Sequence, residues 1–124
     1  MIKSLSIINF ALIKKLEMIP ALGLNVITGE TGAGKSIMMG ALGLLMGRRA
    51  DSKALWDASK KCQIEGHFDI SAYELQSFFE TYELDYEAET IIRREVSPNG
   101  KSRAFINDTP VNLEVLKTFA LKLM

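Results

Sequence analysis

The stretch NVITGETGAGKSIMM, residues 25 to 39, runs from β-branched residues through a glycine-rich turn into a lysine, a serine and an apolar segment. Gly29, Glu30, Thr31, Gly32, Ala33, Gly34, Lys35 and Ser36 match G-x-x-x-x-G-K-[ST]. The match lies after a predicted strand (23–28) and opens a predicted helix (35–46), which is the setting the motif's chemistry requires. Glycines let the backbone close round an anion with consecutive N–H groups turned inward, and the helix adds the positive end of its dipole. Lys35 supplies a mobile charge for the β- and γ-phosphates, and the Ser36 hydroxyl is a hard oxygen ligand for Mg²⁺. The expected cargo is a nucleoside triphosphate with magnesium. Neither the base nor the reaction follows from the loop, because kinases, GTPases, helicases and transport or chromosome ATPases share it.

On the N-terminal side, Leu5 and Ile7 alternate with Ser4 and Ser6, while Leu12, Leu16 and Met18 are spaced by Lys14, Lys15 and Glu17. Residues 3–19 therefore read as two strands, the second ended by Pro20. On the C-terminal side the 35–46 helix is apolar nearly all round, which predicts burial, with Met38, Met39 and Met46 as core filler. Gly47 is its stop signal, and RRADSKALWDASKK reads as a surface connection. CQIEGHFDI (62–70) has strand character. Ser71 and Glu74 form a capping-box pattern ahead of Leu75, Phe78, Phe79 and Tyr82, which share a helical face. ETIIRREV and KSRAFIN flank SPNG, where Asn99-Gly100 suits the positive φ angles of a tight hairpin. Asn112 is placed to cap a last helix whose face carries Leu113, Leu116, Ala120 and Leu123, with Glu114 in its first turn. These elements predict an α/β fold with a mixed sheet: a central phosphate-loop strand and buried helix, covered by an antiparallel layer that includes the 89–107 hairpin.

The chain has 124 residues, 48% of them hydrophobic, which suits one domain with a core. Fifteen basic and fifteen acidic residues leave no chain-wide field to attract nucleic acid or an anionic membrane, so any DNA contact must be a local patch. Cys62 and His67 are the only residues of their kinds, which excludes an internal disulfide and a Cys/His zinc site. The longest apolar run, SIMMGALGLLMG, falls short of the roughly 20 residues of a membrane span, and MIKSLSIINF is not a secretory signal. The expectation is a soluble cytoplasmic protein without membrane contact.

Hydrolysis in this class also needs an acidic residue ending a second apolar strand and a group that orients water. Only HFD (67–69) and LWD (55–57) come near that pattern, and Asp69 and Asp57 read as ordinary surface acids. No L-S-G-G-type stretch occurs. No catalytic residue is assigned, and the isolated chain is expected to be inactive.

LSIINFALIKKLEM, GLNVITGETGAGKSIMMGALGLLMGRRAD, EGHFDI and IIRREVSPNGKSRAFINDTPVNLEVLK together resemble the N-terminal region of the RecN family, bacterial DNA-repair ATPases related to chromosome-maintenance (SMC) proteins. The resemblance spans essentially the whole chain and is most specific at TGETGAGKS and GKSRAFIND. It implies a P-loop, ABC-type ATPase head built from both ends of a long polypeptide, of which residues 1–124 are the N-terminal portion. It implies ATP as the nucleotide and Mg²⁺ as its metal. Implied partners are DNA through the full-length protein, the C-terminal half of the same head and a second copy. The implied role lies in double-strand-break repair and recombination after DNA damage, on the nucleoid in the cytoplasm.

The resemblance places Asn9 and Phe10 where related heads approach the nucleotide base, although a turn-capping Asn9 and a core Phe10 suit the sequence better. Arg48 and Arg49 fit either DNA or helix C-terminal carbonyls. Arg93, Arg94, Lys101 and Arg103 would make a second basic patch if the hairpin strands pair, but alternation sets Arg93 and Arg94 on opposite faces. The alternative functions are the P-loop portion of a DEAH-type helicase, whose loop is similar, and a non-enzymatic DNA-binding or assembly module.

Overall fold

A computed structural model describes residues 2–11, 13–18, 31–50 and 55–123. In chain order the elements are β1 (Ile2–Phe10), β2 (Ile13–Met18), α1 (Thr31–Leu45), β3 (Cys62–Asp69), α2 (Gln76–Thr81), β4 (Glu89–Val96), β5 (Ser102–Ile106), β6 (Thr109–Val111) and α3 (Leu113–Leu123). The strands form one sheet in the order β2-β1-β3-β4-β5-β6, and every described pairing is antiparallel. The predicted strand 23–28, which would give the sheet its mixed character, lies outside the described residues.

Strict alternation decides which face of this sheet is covered. Leu5 and Ile7 of β1, Cys62 and Ile64 of β3, Ile92 and Val96 of β4, and Ala104 and Ile106 of β5 are buried on one face. Their neighbours on the other face are polar or charged at most positions, as an antiparallel sheet with one wet side requires. The covered face takes all three helices. Ala41, Leu44 and Leu45 of α1 and Leu116, Phe119 and Ala120 of α3 are buried there. The α2 rings join them, with Phe78 stacked on Phe119 at 5.3 Å and Phe79 edge-on to it at 5.6 Å. Each buried Leu, Ile, Val or Phe among them contributes about 1.5–3 kcal/mol through the area it removes from water.

Four expectations change in detail. First, α1 is not buried all round: Met39 is 60% exposed and Met46, just past its end, 36%, while Met38 packs against the core. One sheet face can cover only one side of a helix. Second, the Ser71–Glu74 capping box does not form. The Ser71 N–H and hydroxyl both bond Asp69 Oδ1, Glu74 takes φ +52°, and α2 starts after Leu75 with no side-chain cap. Asp69 stands two residues before Ser71 and captures it first, in a local turn that competes with helix initiation.

Third, the hairpin after β4 is not a two-residue turn. Gly100 N–H bonds Ser97 O and Ser97 N–H bonds Lys101 O, so Pro98, Asn99 and Gly100 form a three-residue loop with only Gly100 at positive φ, +89°. Fourth, the sequence reading missed β6. The two-residue turn with both φ positive is Asn107-Asp108 (+48° and +67°), between the paired residues Ile106 and Thr109. Asn and Asp are the side-chain-bearing residues that tolerate that conformation best. The Asn112 cap forms as expected, accepting from Val115 N–H at 2.9 Å.

Candidate functional site

Thr31, Gly32, Ala33, Gly34, Lys35 and Ser36 occupy the first six positions of α1, so the helix begins four residues earlier than expected. Gly29 and Glu30 lie outside the described residues. The second half of the motif thus opens a 15-residue helix, and the first N–H groups of any such helix have no intrahelical partner and lie at the positive end of its dipole.

Three devices fix where that helix lies. Gly66 of β3 admits α1 closely: a Cβ there would come within 2.9 Å of Leu45 Cδ1 and 2.8 Å of the Phe68 ring. Phe10, at the end of β1, packs its ring under Gly40, 3.4 Å from where a Cβ would stand. At the other end, Gly47 takes φ +101°, with Arg48 N–H bonded to Gly43 O and Gly47 N–H to Leu44 O. This is the six-to-one and five-to-two bonding of a Schellman stop, as Gly47 predicted.

Arg94 then completes the stop from the sheet. It is fully buried, and its Nη1 donates to Leu44 O at 2.8 Å and Arg48 O at 2.9 Å while Nη2 donates to Ser102 Oγ at 3.1 Å. Burial lowers its pKa, yet a guanidinium stays charged and holds its donors in a fixed fork. The suggested Arg93–Arg94–Lys101–Arg103 patch therefore loses Arg94 to the core. Arg93, on the opposite face, lies over the Phe105 ring at 4.3 Å and pairs with Asp108 at 2.9 Å. Arg48 and Arg49 remain exposed, and the carbonyl-binding role open to them falls to Arg94.

Asn9 is structural. It is 5% exposed at φ +59°, and its Nδ2 donates to Asp57 O, Lys60 O and Lys61 O while Oδ1 accepts from Asp57 N–H. One amide thus ties the loop before β3 to the end of β1. Phe10 is core, 8% exposed. Asp57 is half-buried and Asp69 exposed, and each accepts from a serine two residues on. The Ser59 hydroxyl and N–H hold Asp57 below the usual carboxylate range, and the Ser71 N–H and hydroxyl do the same for Asp69. Both work as turn caps. Among the described residues no cluster of His, Cys, Asp or Glu could hold a metal, and no helix is long and apolar enough to cross a membrane.

A family model described as "AAA domain" matches residues 4–120. DNA repair protein RecN of Haemophilus influenzae is 40% identical over 124 residues, covering 97% of this chain and 22% of that protein. RecN of Vibrio cholerae is 43% identical over 119 residues, covering 95% and 22%. The chain spans about a fifth of the length of these relatives. Among solved structures, an Smc head domain from Pyrococcus yayanosii superposes with a TM-score of 0.75 at 20% identity, over 99% of this chain and 25% of that one. The recombination mediator RecF bound to ATP gives 0.65 at 22% identity, over 93% and 30%. The fold is that of the SMC and RecF heads, a P-loop NTPase architecture of which this chain forms the N-terminal lobe.

Proposed function

The chain belongs to the AAA domain family, and we propose on that premise that residues 1–124 are the nucleotide-binding portion of a RecN-like DNA-repair ATPase head. Gly29 to Ser36 bind ATP, with Lys35 on the β- and γ-phosphates and Ser36 as the protein ligand of Mg²⁺. The observation that carries this reading is the placement of Thr31–Ser36 at the start of a long helix held against the sheet by Gly66, Phe10, Gly47 and Arg94. A lysine, a serine hydroxyl and a helix N-terminus suit a magnesium-bound polyphosphate. Bound magnesium would neutralise phosphate charge, while the chain's own residues hold and orient the phosphates.

DNA engaged through the full-length protein, the C-terminal half of the head and a second copy are the partners of this reading, and the nucleoid in the cytoplasm is its place. A DEAH-type helicase is not favoured, since the similar proteins are RecN, SMC and RecF.

Titration with a Mg-ATP analogue tests the proposal. Lys35→Ala removes a charge-assisted contact worth on the order of 1.5–3 kcal/mol, roughly 10- to 150-fold in affinity, with little loss of fold. Equal affinities for the two proteins would place the nucleotide elsewhere, and no binding to either would favour the non-enzymatic module.

A further inference from the structure

Beside Asn9 lies an open cleft of about 260 Å³, lined by Ile8, Lys14, Lys15, Trp56, Lys60 and Lys61 together with Asn9 and Asp57. All four lysines are exposed, and Trp56 is 51% exposed. In a chain with equal numbers of acidic and basic residues, this concentrates four ammonium groups around one indole. Four lysines of the lining face one lining carboxylate, Asp57, which the Ser59 hydroxyl and N–H hold ionised near Lys60, and Glu95 reaches Lys61 at 3.4 Å, so the lining itself keeps an excess of positive charge. The cleft is also held in shape, because Asn9 bonds Asp57, Lys60 and Lys61 and Trp56 N–H reaches Asn9 O at 3.5 Å.

We propose that this cleft holds a segment of single-stranded nucleic acid, with one unstacked base against Trp56 and the flanking phosphates on Lys14, Lys15, Lys60 and Lys61. An exposed aromatic face beside paired cations is the chemistry of strand binding, where stacking tolerates any base and phosphates supply most of the affinity. A duplex would satisfy the lysines but keeps its bases stacked and leaves the indole without a partner. The site stands on the cleft alone and does not depend on nucleotide at the phosphate loop.

Trp56 is the only tryptophan, so its fluorescence reports the site directly. An oligodeoxythymidylate of roughly 12 nucleotides titrated into the 124-residue chain is expected to quench it saturably. With four phosphates neutralised, affinity should fall about 50-fold between about 50 and 200 mM salt, and Lys60→Ala with Lys61→Ala should lower the log–log slope by about 1.4. Trp56→Ala, followed by anisotropy of a labelled strand, should weaken binding about ten-fold or more. Lys35→Ala should change none of these values. Absence of quenching at low salt would overturn the proposal, as would strand binding indifferent to Trp56→Ala or duplex binding of equal strength. Quenching by Mg-ATP alone that Lys35→Ala abolishes would also overturn it, since Trp56 would then belong to the nucleotide site.

Discussion

Arg94 shows how one side chain can serve two elements. Its carbonyl partners Leu44 and Arg48 end α1, while its own backbone pairs with Ile64 of β3 and Ala104 of β5. Arg94→Ala would leave Arg48 O without this donor and open a void under the helix, so we expect a loss of about 2–4 kcal/mol. Arg94→Lys should lose less, because one cation remains but the fork does not. Urea midpoints of the three proteins check this. Alternation made it legible that Arg93 and Arg94 face opposite ways, but a partner fifty residues earlier has no local signature. His67 gives a second residue-scale test. Its ring meets Glu65 at 3.0 Å and Glu89 at 3.3 Å, and Lys3 meets Glu89 at 2.9 Å. Partial burial opposes the imidazolium, but hydrogen bonds to Glu65 and Glu89 outweigh it and raise the His67 pKa above 6.5. A raised folded-state pKa gives stability that is full below the unfolded value and is lost as pH rises through the folded one. The urea midpoint should therefore decline as pH rises from about 6.5, by a small amount because solvent reaches the ring and both carboxylates and screens the pairs. Glu65→Gln with Glu89→Gln should remove that dependence.

At the scale of elements, the turns separate what local sequence decides from what it does not. Asn99-Gly100 correctly marked a reversal, yet Pro98 ahead of it favours the first central position of a type I turn, which makes the loop one residue longer. The tighter turn sits at Asn107, which also bonds Ile91 N–H through Oδ1 and Asp85 O through Nδ2. Asn107→Ala should therefore cost about 2 kcal/mol or more, from two lost hydrogen bonds and a strained φ. Gly100→Ala, with nothing within 4 Å of the added carbon, should cost about 1 kcal/mol from φ alone. Thermal unfolding of both variants distinguishes a turn fixed by tertiary bonds from one fixed by its own backbone. The short β6 escaped the sequence reading because three residues with a central proline carry no period, and they suit only the edge strand they form.

For the molecule as a whole, the two N-terminal strands, the Gly47 stop and the last helix were readable because each is a local pattern. The one-sided cover of the sheet, the Asn9 tie and the Trp56 cleft were not, since each joins segments distant in sequence. Steady-state phosphate release from the chain should stay at background, because no acid ending a second apolar strand accompanies the loop. Turnover abolished by Lys35→Ala would reveal a catalytic acid not recognised here. Self-association is expected alongside. Leu121 is 75% exposed and Met39 60%, and an apolar cavity of about 200 Å³ opens between α1 and α3 beside Ile2, Phe68 and Ile92. Light scattering that shows a monomer at high concentration would count against it. The position of β1 carries a consequence for synthesis. It lies between β2 and β3, so when Met18 leaves the ribosome one side of β1 is paired, and the other must wait for Cys62. At ordinary elongation rates that interval lasts seconds, far longer than a hairpin needs to form. Throughout it Leu5, Ile7 and their row of free amides stand open, so neighbouring nascent chains on one messenger would be prone to pair through β1 unless a chaperone shields it.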